Sequence, residues 1–269
     1  KRLNIRATYD AVTYDLFTGF VENWEYGFLA SKDVGPIATV TAVDLFKNLA
    51  RSELTDIVAD FTGSPNLLTS NADTAVLSMG DIDFSLAAWV YFDDLGSNRP
   101  IVGKSDNSTN EEYELFFDYA SSRIAFYISS NGQATGQAGV LANNFGAPAV
   151  NTWYFVVATY NAATDTMSLS VNAGTPNTAS KAGGAFDGVS FFKLGNVSYD
   201  FVTFGGPYID GRMGPVGVWK TVLSTAKITS LYNDGRMIHY NELSSYLKTG
   251  LVGWWDLTES SGTRTDSMG

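Results

Sequence analysis

Hydrophobic and polar positions alternate in short runs along most of the chain, and the runs predict strands. Phe84 to Phe92, Tyr113 to Tyr119, Ile124 to Ile128, Trp153 to Tyr160 and Met167 to Val171 each place apolar side chains at every second position. Gly, Asn, Asp and Ser interrupt them about every ten residues, the spacing of an all-β sandwich. Ala75-Val76-Leu77-Ser78-Met79 is read as a further strand, and Ser190 to Asn196 and Gly211 to Lys220 as two more. Two hairpins are nearly explicit. One turns at Ala120-Ser121-Ser122-Arg123, the other at Asn161-Ala162-Ala163-Thr164-Asp165.

Toward the amino end the pattern is strand, turn, strand: Leu3, Ile5, Ala7 and Tyr9 alternate, Leu16 to Trp24 follow, and Ile37 to Val40 close the set. From Val43 the apolar positions change to helical spacing through Leu45, Phe46, Leu49 and Ala50, predicting a short helix to about Leu54. A shift toward Asp, Thr, Gly and Pro then marks a boundary near Asp56. A second short helix is predicted over Val222 to Asp234, with Ser224 as N-cap and Gly235 as its stop. The expected organisation is a β-rich segment over 1–55, a sandwich over 56–240 and a further segment over 241–269.

Composition narrows the chemistry. The 269 residues include no cysteine, which removes disulfides and thiolate metal sites. A net charge of -11 with no basic stripe argues against nucleic acid. No apolar run is long enough to cross a membrane as a helix, so membrane insertion is not expected. The chain starts at Lys1 without a Met and within a strand-like pattern, as expected for a piece of a longer polypeptide.

Several segments carry a resemblance. Phe84-Ser85-Leu86-Ala87-Ala88-Trp89-Val90, Ile101-Val102-Gly103-Lys104, Asn151 to Tyr160, Leu169 to Gly174, and Tyr208 to Trp219 with Leu223-Ser224 and Ile228 to Tyr232 follow one another as in laminin-G-like domains of the concanavalin A-like lectin/glucanase type. The resemblance implies an all-β fold, a two-sheet antiparallel jelly-roll sandwich. Gly250 to Ser267, with Trp254-Trp255-Asp256, resembles the opening of such a domain. Either a second copy begins there or the strand docks on the first sandwich, and the first alternative is preferred. Ile5 to Tyr9, Tyr14 to Val21 and Val40 to Leu45 resemble the end of a structural domain in bacteriophage tail and baseplate proteins, which implies a virion location and a homo-oligomer.

Candidate sites are sparse. Retaining glycoside hydrolysis needs two carboxylates close together. Asp81-Ile82-Asp83 precedes its strand, and Glu111, Glu112 and Glu114, interleaved with Tyr113 and Leu115, read as the wet face of a strand. His239 is the only histidine, so no conventional triad or His-pair zinc site forms away from it, and a structural or surface role is expected. The chain is therefore read as no enzyme. Calcium is the one metal the composition permits, with Asp106, Asn107, Glu111 and Asp210 as oxygen donors. For carbohydrate, aromatic faces beside fixed polar groups are needed on loops, and Tyr199, Asp200, Phe204 and Tyr208, with Asn107, supply that mixture.

The expected function is a virion tail structural and adhesion protein that binds host-surface glycan or neighbouring tail subunits. Alternatives are a glycan-active hydrolase or its accessory module, and a secreted bacterial adhesin.

Overall fold

The computed structural model describes residues 2–9, 12–27, 37–43, 58–61, 68–69, 74–105, 109–196, 208–259 and 264–269. The chain divides into two compact units, 1–56 and 57–269. The first holds a three-stranded antiparallel sheet in the order β1-β2-β3, with β1 at Arg2–Tyr9, β2 at Val12–Gly27 and β3 at Ile37–Val43. The helix expected to Leu54 lies outside the described residues.

The second unit is a sandwich of two antiparallel sheets. Its strands are β4 (Ala59–Asp60), β5 (Leu68–Thr69), β6 (Phe84–Phe92), β7 (Arg99–Lys104), β8 (Glu111–Asp118), β9 (Arg123–Gly132), β10 (Gln137–Leu141), β11 (Trp153–Asn161), β12 (Thr166–Val171), β13 (Asn177–Ser180), β14 (Phe192–Leu194), β15 (Gly211–Trp219) and β16 (Leu251–Trp255). The six-stranded sheet runs β10-β9-β8-β7-β14-β5. The seven-stranded sheet runs β13-β12-β11-β6-β15-β16, with β4 added on β15. Among the described residues three short α-helices accompany them: α1 (Thr74–Leu77), α2 (Thr225–Tyr232) and α3 (Ser245–Lys248).

Alternation decides what fills the interior. Phe84, Leu86, Ala88, Val90 and Phe92 of β6 point inward and meet Tyr113, Leu115 and Phe117 of β8, with Val156, Ala158 and Tyr160 of β11 beside them in one buried cluster. Phe84 packs against the Tyr113, Phe126 and Tyr160 rings at centroid distances of 5.4, 6.1 and 5.9 Å. The other face of β6 is also covered. Ala87 and Trp89 join Phe155, Val157, Trp219 and Trp254 in a second cluster closed by Leu223, Leu231, Leu243 and Leu247 from the helical segments. Ser224 caps α2, its hydroxyl accepting from Lys227 N, and Asn233 ends the helix in the left-handed conformation, two residues before the expected Gly235. Ser85 ties this cover to the sheet, donating to Thr221 O at 2.7 Å and accepting from Leu223 N at 2.9 Å.

Two expectations are corrected. Ala75–Met79 is not a strand, because Thr74–Leu77 forms a helical turn whose Leu77 carbonyl accepts from the buried Tyr113 hydroxyl at 2.7 Å. The strand at Leu251–Trp255 docks on the first sandwich instead of opening another: β16 pairs with β15 from Val216↔Trp255 to Trp219↔Leu251. Trp255 enters the main core, stacked on Phe192 at 4.9 Å, while Trp254 enters the outer cluster. Asp256 fastens the joint. It accepts from Tyr240 N at 2.9 Å, Trp254 Nε1 at 2.7 Å and Ser267 Oγ at 3.1 Å, and His239 Nδ1 lies 3.4 Å away. Burial acts to raise its pKa, but the bonds from His239, Trp254 and Tyr240 outweigh that and leave it below the ordinary carboxylate value. His239 is thus part of the packing of the helical cover, as expected.

Candidate functional site

At one end of the sandwich the last residues of β6, the first of β7 and the first of β15 meet. Two strands approach unusually closely there: a Cβ on Gly211 would stand 1.9 Å from Tyr91 O, so only glycine lets the backbones pass. The register Gly211↔Phe92 and Arg212↔Tyr91 then sets Arg212 beside Tyr91 on the outward side of the seven-stranded sheet, beyond the helical cover. The Arg212 guanidinium lies over the Tyr91 ring, 4.7 Å from its centroid. Tyr91 in turn packs against Trp153 at 5.4 Å, and its hydroxyl donates to Asn151 Oδ1 at 3.3 Å. Tyr91, Trp153 and Arg212 are all half-buried, so the aromatic row that starts under the helices runs out into solvent here.

Carboxylates surround this row. Arg212 lies 3.8 Å from Asp60 and 3.8 Å from Asp93. Arg99, at the start of β7, pairs with Asp94 and lies 3.8 Å from Asp210, and its guanidinium also donates to Tyr208 O at 3.5 Å. Asp93 N donates to Asp210 O at 2.9 Å, which ties the two loops together. The Gly96 N–H and then the Arg99 guanidinium hold the Asp94 carboxyl below its ordinary value. Aromatic faces, hydrogen-bond donors and acceptors thus lie within one rim on rigid strand ends.

Of the expected site residues, Tyr208 and Asp210 belong to this rim. Tyr199, Asp200, Phe204, Asp106 and Asn107 lie outside the described residues. Glu111 is elsewhere: Asp210 neighbours Arg99, which pairs with Phe117 on β8. Glu111 stands six residues back along that strand, roughly 20 Å away at 3.3 Å per residue. Glu111 and Asp210 therefore do not meet at one ion, and among the described residues no group of three His, Asp or Glu side chains could hold a metal ion. Sequence reading passed over Tyr91, Trp153, Arg99 and Arg212. Their signal was available, since alternation puts Tyr91 and Trp153 on the face of their strands opposite the core.

The acidic run on β8 is not a wet face. Glu111, Glu112 and Glu114 are all buried, with 0 to 1% exposure. Glu112 accepts from Gly188 N at 3.1 Å and pairs with the equally buried Lys104, whose ammonium also donates to Gly188 O at 3.3 Å. Burial outweighs the Lys104 contact and pushes Glu112 up to about 7. Glu111 accepts from Gln137 Nε2 at 2.7 Å. Glu114 is pushed up to about 8 by burial and then by the Glu111 charge. Asp81 and Asp83 serve the loops: Asp81 accepts from the Tyr160 hydroxyl at 3.2 Å and Asp83 from Ala162 N at 2.9 Å.

Comparison with known proteins agrees with this architecture. A putative carbohydrate binding protein from Bacteroides ovatus ATCC 8483 is similar in structure with a TM-score of 0.54 at 18% identity, over 79% of this chain and 55% of that one. The chain thus spans about half of that protein's length. The CBM40 of the Ruminococcus gnavus IT-sialidase bound to alpha2,3 sialyllactose gives a TM-score of 0.48 at 12% identity, over 65% of this chain and 95% of that one. Domains LG4-5 of the mouse laminin alpha1 chain give 0.46 at 12%, over 70% and 45%. No curated protein matches the chain in sequence. The Laminin_G_3 family model matches residues 63–229, more than half of the chain, and the protein accordingly belongs to the concanavalin A-like lectin/glucanases superfamily.

Proposed function

We propose that the sandwich is a non-catalytic carbohydrate-binding module and that its rim at Tyr91, Trp153, Tyr208, Asp210 and Arg212 is the binding surface. The observation that carries this reading is the half-exposed Tyr91–Trp153 pair, with Arg212 over it and carboxylates on both sides. A sugar presents an apolar C–H face and a fringe of hydroxyls. Rings on a rigid scaffold accept the first, and fixed charged groups bond the second. The similarity to a putative carbohydrate binding protein of the same fold supports the choice of ligand class. A glycanase reading has less support, because Glu111, Glu112 and Glu114 are all buried, and Glu111 and Glu112 accept from Gln137 and Gly188.

The biological setting we infer is a virion tail, where the module attaches to host-surface glycan or to neighbouring subunits as part of a homo-oligomer. The likeness of the first 45 residues to phage tail domains supports that setting. The test of binding is a broad glycan array with the intact chain and with Arg212→Ala and Tyr91→Ala. Binding that falls at least about tenfold in both variants, with thermal unfolding little changed, bears the reading out. No glycan bound by the unaltered chain sinks it. Mass spectrometry and immunogold labelling of purified particles test the setting, which fails if the chain is absent from virions.

A further inference from the structure

The rim has a long axis. Asp60, Arg212, Tyr91 and Trp153 are direct partners on four adjacent strands, β4, β15, β6 and β11, and so form one row across the strands. Neighbouring strands lie about 4.8 Å apart, which makes the row roughly 14 Å long. Both of its flanks are closed. Two residues along β6 and β11 toward the helices, Trp89 and Phe155 pack against the Tyr232 ring at 5.9 and 6.1 Å and are buried. On β15 a Cβ added to Gly214 would stand 2.6 Å from Met237 Sδ, so the helical cover reaches that strand too. On the opposite flank the chain turns in beside the row at Asn151, which has a φ of 60° and donates its backbone N–H to Phe92 O at 2.8 Å. The two ends of the row differ from its flanks. The Asp60 side chain is 58% exposed. At the other end β12 pairs with β11 only as far as Val156↔Val171, so among the described residues no strand runs beside Trp153 on its far side.

We propose that the rim binds an internal stretch of a linear glycan, about three sugar units laid across the strands, in place of a single terminal sugar. This rests on the carbohydrate-binding reading above. The distance between adjacent strands is close to the length of one unit in an extended sugar chain, so each step of the row meets the next unit. The closed flanks set the direction of the chain, and the open ends let it continue beyond the row on both sides. A single sugar reaches only part of the row. Each further unit adds contacts without a second loss of translational freedom, so affinity grows with length until the row is filled.

Titration calorimetry of the intact chain tests this with linear ladders of one to six β1,4-linked glucose, N-acetylglucosamine or mannose units. Fragments of the same sizes, cut from the glycan that binds best on the array, complete the set. Affinity should rise at least about tenfold from one unit to three. From three to six it should change by less than about fivefold, the remaining gain being the number of registers in which a longer chain can sit. Trp153→Ala shortens the row by one position and should lower the ratio of three-unit to two-unit affinity, whereas a purely structural loss would weaken both alike. Equal affinity for one unit and three, a steep rise that continues to six, or binding confined to branched glycans overturns this inference while leaving carbohydrate binding standing. Absence of binding to every ladder and every array glycan overturns both.

Discussion

Glu114 sits on the outward face of the six-stranded sheet at 1% exposure, with its Oε2 unpartnered in the structure and its pKa raised to about 8. A carboxyl raised above its unfolded value of 4.5 favours folding while both states are protonated. That advantage fades as pH climbs from about 4.5 and is gone above about 8. Glu112, raised to about 7, acts with the same sign over a narrower range. Urea unfolding at pH 5 and pH 9 should therefore show the chain less stable at alkaline pH. Glu114→Gln should flatten the slope and stabilise the protein at pH 9, by at most roughly 5 kcal/mol at 1.4 kcal/mol per unit. An unaltered slope in the variant would remove Glu114 as its source.

The neighbouring pair behaves differently under substitution. Lys104→Met leaves Glu112 without its cation inside the sandwich and should cost about 3–5 kcal/mol. Lys104→Met combined with Glu112→Leu should regain most of that, since removing both charges also removes their desolvation. Chemical denaturation of the single and double variants decides it. This polar knot was invisible in the sequence. Alternating Glu112, Tyr113, Glu114 and Leu115 has the same period whether its polar side meets water or other protein, because periodicity gives the two faces of a strand but not what lies against them.

At the scale of elements, the Gly250–Ser267 region is the instructive case. Its Trp-Trp-Asp pattern marks a strand of this fold, and both domain-opening and domain-completing positions suit that strand equally well. Pairing decides between them: β15 has one side free for β16, and Phe192 supplies a face for Trp255. Trp255→Ala should accordingly destabilise the whole sandwich by about 3–5 kcal/mol in one cooperative transition. A strand belonging to another domain would leave that transition where it is. Ser224→Ala tests a smaller element and should cost about 1 kcal/mol, since Lys227 N loses its acceptor. That cap was readable in advance because it is local, whereas the helical turn at Thr74–Leu77 was not. Its four residues are too few for periodicity to speak, and its place is set by Tyr113, 36 residues from Leu77 along the chain.

Across the whole molecule the two ends of the sandwich are separate chemical regions. The Asp210 end gathers half-exposed rings and charges; the Glu111 end carries the buried Lys104–Glu112 pair and the exposed Val189. Val189→Ser at the second end should leave glycan affinity within about twofold of the parent, while Arg212→Ala abolishes most of it. Equal losses in titration calorimetry would mean that the ligand does not sit at the Asp210 rim.

Alternation, turn residues and the order of its strand motifs were enough for the sequence alone to determine the sandwich class, the inward rows of β6, β8 and β11, the hairpins and the cap at Ser224. These are properties of neighbours along the chain, where sterics and the two-residue period of a strand act directly. Tertiary structure alone decided that Glu111 and Asp210 stand at opposite ends, that the β8 carboxyls are buried, that β16 completes the first sandwich, and that Arg212, Tyr91, Asp60 and Asp93 form one rim. Each of those depends on which strands lie side by side and in what register, and that is settled by burying apolar area over the whole unit, a sum that no local stretch of sequence contains.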